Sequence, residues 1–309
     1  MTNTPFLNYS SNTKLLLTAE YVVLDGAKAL ALPLKFKQWL QVYLSDEGDA
    51  SLRWSSRELG KEWFSADFSL SDFSIIESSN ENIAKRLQRI LQVVRRINPQ
   101  FLNNISHIDV ITDTDFMLMW GLGSSSTLIS NIAKWADINP YHLQFEIFGG
   151  SGYDIACATA IAPIFYSISQ GIPEVSNAAF SPPFNSMIGF LYSGQKMNSR
   201  DSLSQYRQHG RISLELINRI SAISDELVLI NDIEKFEERI LEHEEIMSHI
   251  LSAPTISKLA FSDYPYTIKS LGAWGGDFLM FTCRDFQQAE NYFSKKGYQN
   301  IFKYSDLVL

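Results

Sequence analysis

The chain has 309 residues, 45% of them hydrophobic and 19% charged, with a formal net charge of −8. This length exceeds what one hydrophobic core usually serves, so two domains are expected. The acidic balance excludes a general nucleic-acid binder, which needs a basic surface against the phosphates. Apolar runs such as Ile155 to Ile168 are broken by Thr159, Pro163 and Ser167 and fall short of a membrane span. The start, Met1 to Leu7, lacks the basic-then-apolar pattern of a secretory signal. A cytoplasmic protein with neither membrane nor nucleic-acid partners is expected.

Residues 14–24 read as a buried strand, a turn and a second short apolar stretch, and Asp25-Gly26 is a turn signal. Ala29 to Leu34 is a further apolar run. Phe36 to Leu44 alternates as a strand, and Leu52 to Phe64 does so more loosely. Ser79-Asn80-Glu81 opens a helix with Ile83, Leu87, Ile90, Leu91 and Val94 at helical spacing. Lys85, Arg86, Arg89, Arg95 and Arg96 line its other, solvated side, and Pro99 ends it. Ile105 to Thr112 is a strand. A helix from about Ser125 through Trp135 sets Leu128, Ile132 and Trp135 on one face, and Pro140 starts another, through Phe148. After the break at Gly149-Gly150-Ser151-Gly152, Tyr153 to Ile161 reads as a buried helix and Ile164 to Ser169 as a strand.

Gly171, Pro173, Pro182 and Pro183 mark a crossover, dividing the chain into 1–180 and 181–309. Met187 to Tyr192 is then a strand, followed by helical stretches at about 200–223, 225–232 and 234–251. Tyr266 to Leu271 and Phe278 to Cys283 are strands, Gln287 to Lys296 a helix, and Gln299 to Tyr304 a last strand. Cys157 and Cys283 sit among apolar residues and read as buried free thiols. His243 and His249, six apart on a helix, do not share a face as a zinc pair needs.

Four features carry chemistry. Gly121-Leu122-Gly123-Ser124-Ser125-Ser126 opens directly into a helix, whose first N–H groups lack internal partners and sit at the positive end of its dipole. Glycines there let the backbone approach an anion, so the loop is either a phosphate cradle or a serine cap after a glycine turn. It is neither a Walker loop nor a dinucleotide fingerprint. Asp154, in Ser151-Gly152-Tyr153-Asp154, is a helix cap or a general base. Lys14 precedes an apolar strand, with Glu20 shortly after. Gly272-Ala273-Trp274-Gly275-Gly276 joins two strands as a tight turn.

In this order the four resemble the motifs of the GHMP kinases, the family of galactokinase, homoserine kinase, mevalonate kinase and phosphomevalonate kinase. Lys14-Leu-Leu-Leu-x-x-Glu20-Tyr-x-Val-Leu-Asp-Gly26 is similar to their opening motif, and Gly121 to Ser125 to their ATP loop. Gly152-Tyr-Asp-Ile-Ala156 is similar to their Gly-x-Asp segment, in the wording of a subgroup named for those five letters. Gly272 to Gly276 is similar to their third glycine motif. Mevalonate and phosphomevalonate kinases are nearest in style.

The resemblance implies an α+β, two-domain fold: an N-terminal domain like domain 2 of ribosomal protein S5, and a ferredoxin-like C-terminal domain. It implies an ATP- and Mg²⁺-dependent kinase of a small alcohol. Gly121, Leu122, Gly123, Ser124, Ser125 and Ser126 would wrap the ATP phosphates, with Ser125 and, by a looser match, Glu146 on the metal. Asp154 would be the base or orienting anion and Lys14 would neutralise charge beside it. Glu20, Gly272, Gly275 and Gly276 would lie at the substrate. Lys196 and Arg200, in the polar loop 192–200, would meet an anionic group on a mevalonate- or phosphomevalonate-like substrate or remain solvated cations. A diphosphomevalonate-decarboxylase-like enzyme and a catalytically silent ligand-binding protein are the alternatives; a homodimer is the default assembly.

The chain also departs from the family pattern. Asn12-Thr13-Lys14 replaces Pro-Gly-Lys, and Ala19-Glu20 replaces Gly-Glu. A bulky Trp120 precedes the ATP loop, where it would crowd the nucleotide or stack on its base. Trp274 widens the third motif, and Asp277 sets a carboxylate beside it.

Overall fold

The computed structural model describes residues 4–45, 51–103, 105–194, 206–207, 212–272, 274 and 276–309. The chain condenses into two compact units. The first takes Met1–Thr13, Phe36–Leu118 and Gly123–Thr159; the second takes Lys14–Lys35, Met119–Leu122 and Ala160–Leu309.

In the first unit, strands β3 (Ser51–Glu58) and β4 (Lys61–Ser69) form an antiparallel hairpin. The turn between them is made by Leu59 and Gly60, both at positive φ. β5 (Ile75–Ser78) pairs with β4, and β6 (His107–Thr114) runs parallel to β3. The C-terminal part of β2 (Ala29–Ser45) pairs antiparallel with β6. Helices α1 (Glu81–Ile97), α2 (Ser124–Ala136), α3 (Pro140–Ile147) and α4 (Tyr153–Thr159) complete the unit. Its core packs Trp54, Phe64, Phe68, Leu91, Ile129, Leu143 and Ile155 together. Trp54 satisfies its one polar atom by donating from Nε1 to Ser56 Oγ, 3.1 Å away.

Helix α1 forms as its sequence directs. The Asn80 side chain accepts from the Asn82 and Ile83 amides, a cap that contributes about 1 kcal/mol. Ala84, Leu87, Ile90, Leu91 and Val94 are buried. On the basic side, Arg95 turns inward instead of facing water. Its guanidinium lies 4.0 Å from the Phe73 ring centre and donates to the Leu70, Ser71 and Phe101 carbonyls.

In the second unit, the N-terminal part of β2 pairs with β7 (Ile164–Ser169), which pairs with β8 (Ile172–Asn177). The second sheet is four-stranded and wholly antiparallel. Its order is β10 (Ile268–Leu271), β11 (Phe278–Thr282), β9 (Ile188–Tyr192), β12 (Ile301–Lys303). Helices α5 (Leu214–Leu227), α6 (Ile233–Ile250) and the short α7 (Ile256–Ala260) lie in sequence between β9 and β10. Helix α8 (Phe286–Lys295) connects β11 to β12, and α9 (Tyr304–Leu307) ends the chain. This is the ferredoxin-like strand order, in an α+β protein.

Three expectations change. Ala29 to Leu34 and Phe36 to Leu44 are one 17-residue strand that continues through Pro33. Strand β8 arises within the stretch read as a crossover; as an exposed edge strand it needs no apolar alternation and tolerates Pro173. No separate helix spans 225–232: α5 runs to Leu227, and the Asp232 side chain caps α6 by accepting from the Lys235 amide at 2.9 Å.

Candidate functional site

The division of the chain falls within the glycine loop. Gly121 and Leu122 belong to the second, and Gly123 to Ser126 to the first. Gly123 is the N-cap of α2 at φ 93, and no side chain caps the helix. The serine-cap alternative is thereby replaced by a glycine cap, which leaves the helix start to the backbone alone. Ser126 and Thr127 donate their amides to the Gly123 carbonyl at 3.0 Å. Ser125 is exposed and Ser126 buried. Buried polar side chains fix the helix. Ser11 donates to Asn131 Oδ1 at 2.8 Å, Asn131 donates to the Gln38 carbonyl at 2.9 Å, and Thr127 donates to Gln38 Oε1 at 2.6 Å. The face of α2 turned inward is therefore partly polar. Leu128 and Trp135, expected to lead it, are only partly buried.

In the second unit, Gly121 has φ 69. A Cβ there would lie 1.9 Å from Asp277 Oδ2 and 2.9 Å from Asp277 Cβ, so only glycine fits. Lys14, on β1 (Leu7–Leu16), donates its amide to the Leu122 carbonyl at 3.3 Å. Trp120 neither crowds the loop nor stands open for stacking. It is 7% exposed, with ring-centre distances of 6.4 Å to Tyr192, 6.3 Å to Phe278 and 5.5 Å to Phe302. The Tyr192 hydroxyl donates to the Met119 carbonyl at 3.1 Å.

Asp154, in the first unit, is half-buried in the first turn of α4, preceded by Gly152 at φ 86. Glu146, on α3, pairs with the Arg96 guanidinium. Among the described residues no group of three acidic, histidine or cysteine side chains could hold a metal. Glu146, expected by a looser match at the metal, thus has a cation beside its carboxylate. Lys196, Arg200 and Gly275 lie outside the described residues. Gly272 has φ 75 with open space where a side chain would begin, and Gly276 is buried.

Glu20, expected at the substrate, is placed in a closed charge cluster of the second unit, 2% exposed. Its Oε1 is 2.7 Å from Lys269 Nζ, which also reaches Glu244 Oε1 at 3.0 Å and His243 Nδ1 at 3.2 Å. His243 Nε2 lies 3.4 Å from Glu20 Oε2 and 3.0 Å from the Ala19 amide nitrogen. Burial, with Glu244 adding to it against the pull of Lys269, pushes the Glu20 carboxyl up to about 7. Burial, then the Lys269 charge, holds His243 well below its ordinary value and hence neutral. Burial opposes the Lys269 charge, but Glu20 and Glu244 outweigh it and raise that ammonium's pKa. Two carboxylates thus share one cation out of reach of water.

Sequence reasoning missed Lys269, His243, Glu244 and the packing role of Asp277. The one signal was a lysine inside an otherwise apolar strand, Ile268-Lys269-Ser270-Leu271, which needs a buried counter-charge. Cys157 and Cys283 are buried thiols outside any disulfide, as expected.

Neither a family model nor a curated protein matches the sequence. Solved structures do match it. The Streptococcus pneumoniae phosphomevalonate kinase in complex with phosphomevalonate and AMPPNP is similar over 96% of this chain and 98% of its own, with TM-score 0.71 and 16% identity. The Methanococcus jannaschii mevalonate kinase is similar over 98% of each chain, with TM-score 0.69 and 16% identity. The Lactococcus lactis galactokinase complexed with galactose is similar over 95% of this chain and 91% of its own, with TM-score 0.66 and 10% identity. Near-complete coverage at TM-scores of 0.66 to 0.71 gives the chain the fold of these kinases.

Proposed function

We propose that the protein is an ATP-dependent kinase that transfers the γ-phosphate to an alcohol or phosphate of a small, anionic metabolite of the mevalonate or phosphomevalonate kind. The observation that carries this reading is the loop at 121–126. Two positive-φ glycines lead into a 13-residue helix whose start no side chain caps. Uncapped amides at the positive end of a helix suit a polyphosphate.

The chain's own groups take the following parts. The loop backbone holds the phosphates. Lys14 offsets charge on the transferring group, and Asp154 accepts or orients the alcohol proton. One or two protein oxygens would hold the magnesium that accompanies ATP, which would supply neutralisation of phosphate charge. The exposed Ser125 hydroxyl in the first helical turn fits that need, and Glu146, which pairs with Arg96, is the looser candidate. Lys196 and Arg200 are the sequence basis for an anionic substrate.

The test incubates purified protein with labelled ATP and mevalonate, phosphomevalonate, homoserine or sugars. Phosphate transfer to one of the acids is expected. Carbon dioxide release, or binding without turnover, refutes the reading. Asp154→Asn is expected to lower turnover by about 10²–10⁴-fold; near-normal turnover removes Asp154 from the mechanism.

A further inference from the structure

Among the described residues from Lys269 to Asp277, three contacts within the second unit bear on how this stretch is held. Lys269 binds Glu20 at 2.7 Å. The Trp274 amide donates to the Tyr21 hydroxyl at 2.9 Å. The Asp277 carboxylate packs on Gly121. Between the first two contacts, Gly272 faces open space. Gly272 itself is thus not packed, whereas Lys269 and Trp274 on its two flanks are held.

Both flanks are held by adjacent residues of one strained turn. Ala19 and Tyr21 have φ 64 and φ 62, left-handed backbone that costs a non-glycine residue on the order of 1–2 kcal/mol. Such a conformation persists only where its surroundings over-determine it. Here they do. Glu20, between the two, is fixed by Lys269; the Ala19 amide lies against His243; the Tyr21 ring stacks on Tyr206 at 5.2 Å. Tyr206 in turn donates to Asp25, and the Trp274 indole donates to the Pro254 carbonyl at 3.2 Å. The strained turn sends successive side chains to either side of Gly272.

We propose that Glu20 and Tyr21 are positioning residues, a two-point clamp that fixes Lys269 and Trp274, on either side of Gly272, against the Lys14–Gly26 segment for phosphoryl transfer. The clamp rests on the kinase reading for its purpose but not for its existence.

Hydrogen exchange and kinetics on the full chain test it. Tyr21→Phe removes the acceptor of the Trp274 amide while keeping the ring that stacks on Tyr206. Glu20→Gln keeps the shape and removes the charge. Exchange of peptides covering 270–277 is expected to quicken about tenfold or more in either variant, with peptides of α1 unchanged. The expected kinetic result is a kcat about tenfold lower with KM for ATP within about twofold, a split that general loosening of the fold does not give. Wild-type exchange over 270–277 in both variants overturns the clamp. Faster exchange with unaltered kcat in an active enzyme overturns its positioning role. If the wild-type protein transfers no phosphate, the kinase reading fails, and the exchange comparison alone still decides whether the clamp exists.

Discussion

The Asp277 carboxylate stands where a side chain at position 121 would begin, with Oδ2 1.9 Å from a Cβ built on Gly121. The first glycine of the loop is thus required twice, by its left-handed backbone and by the acid against it. Gly121→Ala is expected to raise KM for ATP or abolish turnover. Asp277→Ala in the same chain removes the clash but not the φ strain, so it is expected to restore part of the loss. If Gly121→Ala binds ATP like wild type in a titration, the close approach has no bearing on the loop.

The charge cluster predicts how stability varies with pH. Glu20 has its folded pKa raised to about 7, so its favourable contribution is complete below its unfolded value and is lost as pH rises through about 7. His243 is depressed, so its contribution is present above its unfolded value and lost as pH falls below it. Glu20→Gln cancels only the first. Denaturant unfolding at pH 5 to 8 is expected to show wild type losing about 1–3 kcal/mol relative to Glu20→Gln as pH rises. Parallel curves for the two proteins refute the assignment.

Lys269→Met leaves Glu20 and Glu244 buried without their cation. Removing one partner from a buried ion cluster costs about 3–5 kcal/mol, which is the expected fall in unfolding free energy. A loss under about 1 kcal/mol contradicts the cluster as described.

Trp120→Ala is expected to cost about 3–5 kcal/mol as a cavity opens between Tyr192, Phe278 and Phe302. A thermal melt checks it; an unchanged midpoint means the indole is not packed there.

Glu146→Gln is expected to leave the Mg²⁺ dependence of turnover within about twofold if the carboxylate serves only to pair with Arg96. A large shift in the Mg²⁺ requirement returns Glu146 to the metal.

Local signals were legible in the sequence, and long-range ones were not. Asn80 with its apolar spacing announced α1, and the run of glycines and serines announced the loop opening α2, because caps and periodicity act within a few residues. Glu20 and Lys269 stand 249 positions apart, and nothing in either neighbourhood names the other. A separation of 156 positions hid the approach of Gly121 and Asp277 in the same way. Departures from the family pattern acquire physical content only when folded. Ala19 occupies a left-handed position where glycine is the easier residue, and Trp120, an oversized neighbour to a phosphate loop in the sequence, is a core side chain of the second unit.

The burial of Trp120 has a spectroscopic consequence. Trp54, 1% exposed, lies in the first unit, and Trp120, 7% exposed, in the second. Each unit carries its own shielded indole, whose emission shifts to the red when water reaches it. Trp54→Phe and Trp120→Phe, followed by fluorescence during denaturation, therefore report on the two units separately. Coincident transitions mean that the halves of this kinase fold melt as one, and separated ones give each half its own stability.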